Sequence, residues 1–341
     1  MIVNTALEIS NLEIGYILRK SVVAKVAGPI DIAIEAGELI CLLGPNGVGK
    51  TTLLRTMAGI QPPLHGNIAI LNQDISNIHK KQMAKYLSVV LTDRIGYGNL
   101  TVFELIALGR IPHTGWFGNL NAEDEKKIDW AMDNTGVGHL ISKSIHALSD
   151  GERQKVMIAR ALAQDTPVIL LDEPTAHLDI PNRIDITHLL RRLAKETKKT
   201  IIMSTHELDL ALQVADKIWL MTANNVTYSG TPEDLVLNDV FGKAFIREGI
   251  TFDKSHGIFK VVEPHSLEIN IQGDEVGAFW TKRALERQGY TVTFNHPDKG
   301  NIHISQKGKS WIWEYNDVAK SATLNSVEEL IDFLKRKEGR L

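Results

Sequence analysis

From residue 1 to about 250, short apolar runs of β type alternate with longer stretches of helical periodicity, the pattern of an α/β domain around a mainly parallel sheet. Strands are predicted at residues 6–14, 39–43, 68–71, 88–91, 168–171, 200–204 and 217–222. Between residues 102 and 163 the period turns helical, with Val102, Leu105, Ile106 and Gly109 on one face and Ile128, Ala131, Met132 and Thr135 on another. A helical subdomain of about residues 85–165 is therefore expected within the α/β core. Turn residues dominate residues 252–266, which read as a linker.

A second, small α/β module is predicted at residues 267–341. Residues 267–271 read as a strand, Gly273 as its exit, and residues 275–288 as a helix with Val276, Phe279, Trp280 and Ala284 inward. Strands follow at 290–294, 301–305 and 310–315, and a last helix from near Asn325 places Val327, Leu330, Ile331 and Leu334 at i, i+3, i+4 and i+7. Trp280, Trp311 and Trp313 are expected to fill this module's core, with ligand stacking as the alternative use.

Composition narrows the class. With 341 residues, 43% of them hydrophobic, the chain is globular, and disorder and coiled coil are excluded. A net charge of -3 supplies no global positive field to recruit nucleic acid or an anionic membrane. Apolar runs such as 39–43 and 168–171 are far shorter than the roughly 18 residues of a membrane span. No positive charge precedes an apolar stretch in the first ten residues, and the single Cys41 has no intramolecular partner. A reducing cytoplasm is the expected compartment.

The chemistry begins at residues 44–51, which satisfy G-x-x-x-x-G-K-[ST] through Gly44, Gly49, Lys50 and Thr51, with Asn46 and Gly47 between. The run follows a predicted strand and precedes a helix predicted at 51–58, so backbone N–H groups and a helix N-terminus converge where phosphates would lie. Lys50 is placed to neutralise β and γ phosphates, and Thr51 to give its hydroxyl to Mg2+. Asp172 and Glu173 end the buried strand 168–171; the first suits a Mg2+ shell and the second a water in line with the γ phosphate. Ser149 opens a helix in a capping box with Glu152, and Gly151 lies between them. His206 follows the strand 200–204.

In this order the motifs resemble those of the nucleotide-binding subunit of ATP-binding cassette (ABC) transporters, over about residues 4–250 of an ATPase domain spanning 1–251. The resemblance implies a P-loop NTPase fold that binds ATP and Mg2+. Residues 44–51, with Thr52 beside them, correspond to Walker A, residues 148–154 to the signature motif, and Asp172 and Glu173 to Walker B and its glutamate. Residues 176–179 match the D-loop and His206 the switch histidine that contacts the γ phosphate. Two copies of such a subunit pair head to tail, sandwiching ATP between Walker A of one and Ser149 and Gly151 of the other. Tyr16 matches the adenine-stacking aromatic, while a lone aromatic there serves equally as surface packing.

Two departures stand out against that pattern. Asp150 replaces the commonest glycine of the signature, and the usual Q-loop glutamine position falls at Thr92, followed by Asp93. One of these two is expected to stand in, Asp93 as a Mg2+ ligand. Residues 108–118 and 204–211 resemble importers of ferric siderophores, haem and cobalamin, with iron complexes favoured. That resemblance implies a homodimer of ATPase subunits on the cytoplasmic face of the inner membrane, two copies of a membrane permease, a periplasmic or lipoprotein substrate-binding protein, and no nucleic acid. A soluble ABC ATPase acting on ribosomes or DNA, or an exporter cassette, is the alternative. The C-terminal module is expected either to tune the motor or to stabilise its dimer, outside the ATP chemistry.

Overall fold

Leu39–Leu43 is a strand buried on both faces, and its side chains alternate between two hydrophobic cores. Leu39, Cys41 and Leu43 enter one core with the helices, while Ile40 and Leu42 enter the other. The computed structural model describes residues 5–19, 22–91, 98–115, 118–245, 249–261, 267–294, 301–317 and 320–337. The chain divides into two units, Met1–Lys260 and Val261–Leu341.

In the first unit the central sheet has the strand order Thr227–Gly230, Lys217–Met221, Leu39–Leu43, Thr200–Ser204, Val168–Leu171, Leu87–Val90. All pairs are parallel except the first, so this is an α/β sheet with an antiparallel edge. A second, antiparallel sheet runs Val22–Glu35, Thr5–Arg19, His65–Ile70, Gln73–Asp74. The predicted strand at 6–14 belongs to this second sheet. Its unforeseen partner at 22–35 buries Ile30, Ile32 and Ile34 on one face, a period of two that builds the second core with Leu7, Ile9 and Leu12.

Helices Val102–Ala107, Ala122–Thr135 and Asp150–Ala163 form the helical layer, with Val102, Leu105, Ile106, Ile128, Ala131 and Met132 buried. Four side chains hold the C-terminal end of Asp150–Ala163. Arg110 donates through Nη1 to the Ala163 carbonyl at 2.7 Å. Gln164 donates to the carbonyls of Ala84 and Leu87 at 2.7 and 3.0 Å, and Arg160 to that of Val89 at 3.2 Å. His113 Nε2 lies 2.9 Å from the Gln164 carbonyl, an acceptor only, which places the proton on that nitrogen.

Residues 252–261, expected as linker, instead carry most of a hairpin, Ile250–Asp253 paired with Ile258–Val261. The turn residues close it: Asp253 accepts from the N–H of Ser255 and from the His256 ring. Phe252 and Phe259 pack on the first unit's helical core, so apolar residues flanking the turn anchor it there.

The second unit is a five-stranded sheet, ordered Tyr290–Phe294, Leu267–Gly273, Asn301–Lys307, Ser310–Asn316, Ser321–Leu324, covered by helices Glu275–Glu286 and Val327–Lys337. Ile269, Ile271, Ile302, Ile304, Trp313, Leu330 and Leu334 lie in its core. Helix Glu275–Glu286 is rotated from the predicted orientation. Its buried residues are Gly277, Ala278, Thr281, Ala284 and Leu285, whereas Val276, Phe279 and Trp280 are 59%, 38% and 57% exposed. The sheet supplies the bulk here: a Cβ on Gly277 would stand 2.6 Å from Trp311 and from Ile304, so only small residues fit underneath. Of the three tryptophans, Trp313 alone is fully inside, donating to Thr281 Oγ1 at 2.7 Å. Trp280→Ser should therefore change the unfolding free energy by no more than about 0.5 kcal/mol. A urea unfolding curve reads this, and a loss of about 2 kcal/mol would return that ring to the core.

Candidate active site

Between the strand Leu39–Leu43 and the helix Lys50–Met57 the chain makes a tight loop whose backbone only glycine accepts at two points. Gly44 has φ +148° and its missing Cβ would stand 2.5 Å from the Met221 carbonyl; Gly49 has φ +111° and caps the helix. Asn46 and Gly47 lie on the exposed turn between them. Lys50 is buried and folds back over the loop, donating to the carbonyls of Gly44 and Pro45 at 2.8 and 3.2 Å. Burial pushes its ammonium pKa down from the usual lysine range, and Glu173 and Asp172 push it back up. Both hydrogen-bond partners are neutral, so the charge remains available to an anion at the loop.

The strand Val168–Leu171 delivers two carboxylates to the same end of the sheet. Asp172 is 5% exposed and accepts from Thr51 Oγ1 at 3.0 Å and from Ser204 Oγ at 2.7 Å. The Ser204 hydroxyl in turn accepts from the Glu173 N–H at 2.8 Å. Glu173 adopts φ +50°, a left-handed conformation that costs about 1 kcal/mol in a non-glycine residue. It brings Glu173 Oε1 to within 2.6 Å of His206 Nε2. A half-exposed carboxylate paired with an imidazole can take a proton from water and hold the resulting charge.

Mg2+ takes hard oxygen ligands and keeps several waters, with one or two protein groups and phosphate oxygens completing its shell. The Thr51 hydroxyl and the Asp172 carboxylate, 3.0 Å apart at the foot of the phosphate loop, are donors of that kind. Among the described residues there is no group of three or more His, Cys, Asp or Glu that could hold a metal without such a co-ligand. Thr92 and Asp93 lie outside the described residues, as do Trp116 and Phe117 within the 108–118 stretch. Tyr16 is 45% exposed, and its hydroxyl is 2.8 Å from Thr52 Oγ1, which fixes the ring beside the loop.

Ser149 and Gly151 sit on a different element and make no hydrogen bond to residues 44–52 among the described residues. Ser149 accepts from the Glu152 N–H at 3.2 Å and donates its own N–H to Glu152 Oε2 at 2.8 Å, a closed capping box at an exposed helix start. Cys41 is buried, and its thiol is driven far above the ordinary range by desolvation, so it offers no nucleophile. Sequence reasoning missed Ser204, which ties the Asp172 carboxylate to the Glu173 main chain. Its signal was present, since a buried hydroxyl at the end of a buried strand requires a partner.

The sequence pattern described as ABC transporter matches residues 28–176, and that described as iron ABC transporter C-terminal domain matches residues 266–335. The uncharacterized ABC transporter ATP-binding protein MJ0873 of Methanocaldococcus jannaschii is 38% identical over 255 residues, 75% of this chain and 86% of its own. The iron(3+)-hydroxamate import ATP-binding protein FhuC of Bacillus subtilis is 38% identical over 216 residues, 63% of this chain and 80% of its own. The solved structure of cbiO1 from Clostridium perfringens, part of the ABC transporter complex cbiONQ, matches with a TM-score of 0.61 at 29% identity, covering 72% of this chain and 96% of that one. The phosphate loop, the paired carboxylates and this likeness over three quarters of the sequence lead to one conclusion: the chain belongs to the ATP-binding subunits of ABC transporters and is an ATPase.

Proposed function

We propose that the chain is the peripheral ATP-driven motor of an importer for iron complexes, a ferric siderophore or haem, with cobalamin as the neighbouring cargo class. The 2.6 Å contact between Glu173 and His206, beside Asp172 and the phosphate loop, carries the hydrolytic part of this reading. The iron-domain match over residues 266–335 and the import role in the name of the Bacillus subtilis relative support the cargo.

In this reading Lys50 and the backbone of residues 44–49 hold the phosphates, while Asn46 and Thr52 line the loop. Thr51 and Asp172 hold Mg2+, whose charge offsets that of the phosphate oxygens. Glu173 draws the proton from the attacking water, and His206 holds Glu173 in line and faces the γ phosphate. Tyr16 stacks on adenine. Ser149 and Gly151, bound to no phosphate loop in their own subunit, present a helix N-terminus to the nucleotide of a partner copy. Asp93 is the proposed additional Mg2+ ligand.

ATP then closes a homodimer, and hydrolysis reopens it. The dimer works on the cytoplasmic face of the inner membrane with two permease copies and a periplasmic or lipoprotein substrate-binding protein. Among the described residues no helix is long and apolar enough to cross a membrane, which is consistent with a peripheral place. Co-purification from detergent-solubilised membranes tests this. A multi-span permease is the expected companion, and recovery with ribosomes or DNA instead would overturn the assignment.

A further inference from the structure

The first turn of helix Ile180–Thr197 joins two segments that the hydrolytic reading keeps apart. Asp179 caps this helix, accepting from the backbone N–H of Asn182 at 3.1 Å and from its side-chain amide at 2.7 Å. The next residue, Arg183, donates through Nε to the carbonyl of Leu178 at 2.6 Å, inside the 176–179 loop. The same guanidinium donates through Nη1 to Glu207 Oε1 at 2.8 Å. Glu207 directly follows His206, and its N–H donates to Thr205 Oγ1 at 3.0 Å, which fixes the backbone on either side of the histidine.

We propose that Arg183 is a positioning residue for ATP hydrolysis, a planar clamp that sets His206 against Glu173 according to where the 176–179 loop lies. The proposal rests on the reading of Glu173 and His206 as the hydrolytic pair. Two features single out this side chain. The two bonds leave different nitrogens of one rigid fork, so loop and switch segment cannot shift independently while both persist, and lysine cannot reproduce them together. The Arg183 and Glu207 side chains are also 34% and 26% exposed, and ion pairs so open to solvent contribute little to global stability. A variant here should fold, so an effect on turnover reports placement. His177, within the loop, is held at φ +64°, a conformation that depends on its neighbours staying fixed.

The test is a double-mutant cycle on the full chain, using Arg183→Gln, Glu207→Gln and the double variant, with ATP turnover, ATP binding and the urea unfolding midpoint measured for each. Each single variant should lose roughly tenfold in kcat with KM and ATP binding within about twofold, and the double variant should be no slower than the worse single. Arg183→Lys, which keeps the charge without the fork, should recover less than half of the loss. Unchanged kcat, losses that multiply to roughly a hundredfold in the double variant, losses that follow a lowered unfolding midpoint, or full recovery by Arg183→Lys would each overturn the clamp. Glu173→Gln serves as the control that separates the two levels. If it is slow while Arg183→Gln is not, the clamp alone fails; if it turns over normally, the hydrolytic reading fails with it.

Discussion

Glu173→Gln is expected to slow ATP hydrolysis by roughly 100- to 10,000-fold while ATP binding survives, the range for removing a general base. Binding survives because Lys50, Thr51 and the loop glycines are untouched, and because the Glu173 main chain keeps its hydrogen bond to Ser204 Oγ. The amide is nearly isosteric with the carboxylate, so it can still meet His206 Nε2, and the loss isolates basicity from shape. ATP-loaded dimers should consequently accumulate, visible as an ATP-dependent shift to the dimer in size-exclusion chromatography. Because the two side chains act as one unit, adding His206→Ala should cost little further, as groups in a shared step are strongly non-additive. Retention of more than about half the wild-type turnover would remove Glu173 from the role.

The second large effect is on stability. Arg110 and Asp124 are 4% and 1% exposed, and Arg110 Nε donates to Asp124 Oδ1 at 2.9 Å. Asp124 also closes the cap of helix Ala122–Thr135, its Oδ2 accepting from the Asn121 N–H at 3.1 Å. Asp124→Ala strips the carboxylate from a guanidinium that has no water to fall back on, and opens the capping box as well. Removing one partner of a buried pair costs about 3 to 5 kcal/mol. The urea midpoint should drop accordingly at constant slope, since the surface exposed on unfolding hardly changes. Asp124→Asn, which preserves an acceptor oxygen, should lose less. A drop under about 1 kcal/mol for the alanine variant would mean that water reaches the guanidinium.

Much of the first unit was legible because its chemistry and its periodicity agree. The strands at 39–43 and 168–171 are unbroken apolar runs and 200–204 is apolar between Thr200 and Ser204, each of the length a doubly covered parallel strand requires, and the candidate residues lie at or just beyond their ends. Thr51 and Asp172, and Glu173 and His206, lie close in space but far apart in sequence, and only the order of motifs announced either pairing. Contacts made by backbone carbonyls left no such trace. Nothing in the residue types of Arg110, Arg160 or Gln164 says which carbonyl each will meet.

The orientation of helix Glu275–Glu286 departs from its apolar spacing for a physical reason. Apolar spacing reports the buried face only when the helix supplies the bulk; here the sheet does, through Trp311, Trp313 and Ile304, and small residues face it. The strand at 22–35 carries a weaker signal: Ile30, Ile32 and Ile34 alternate cleanly, but Lys25 and the small Ala24 and Ala27 dilute the run before Gly28.

The side-chain hydrogen bonds at Ala163, Gln164 and Arg160 hold one end of the helix Asp150–Ala163, so any tilt of the helix about that end is largest at Ser149. Fourteen residues give the helix a length of about 21 Å at roughly 1.5 Å per residue. A tilt of about 5° about the fastened end therefore carries Ser149 through about 2 Å, using the same rise per residue. A hydrogen bond tolerates a few tenths of an ångström before it weakens, so an angular change too small to disturb the packing at the pivot suffices to make or break an anion contact at the tip.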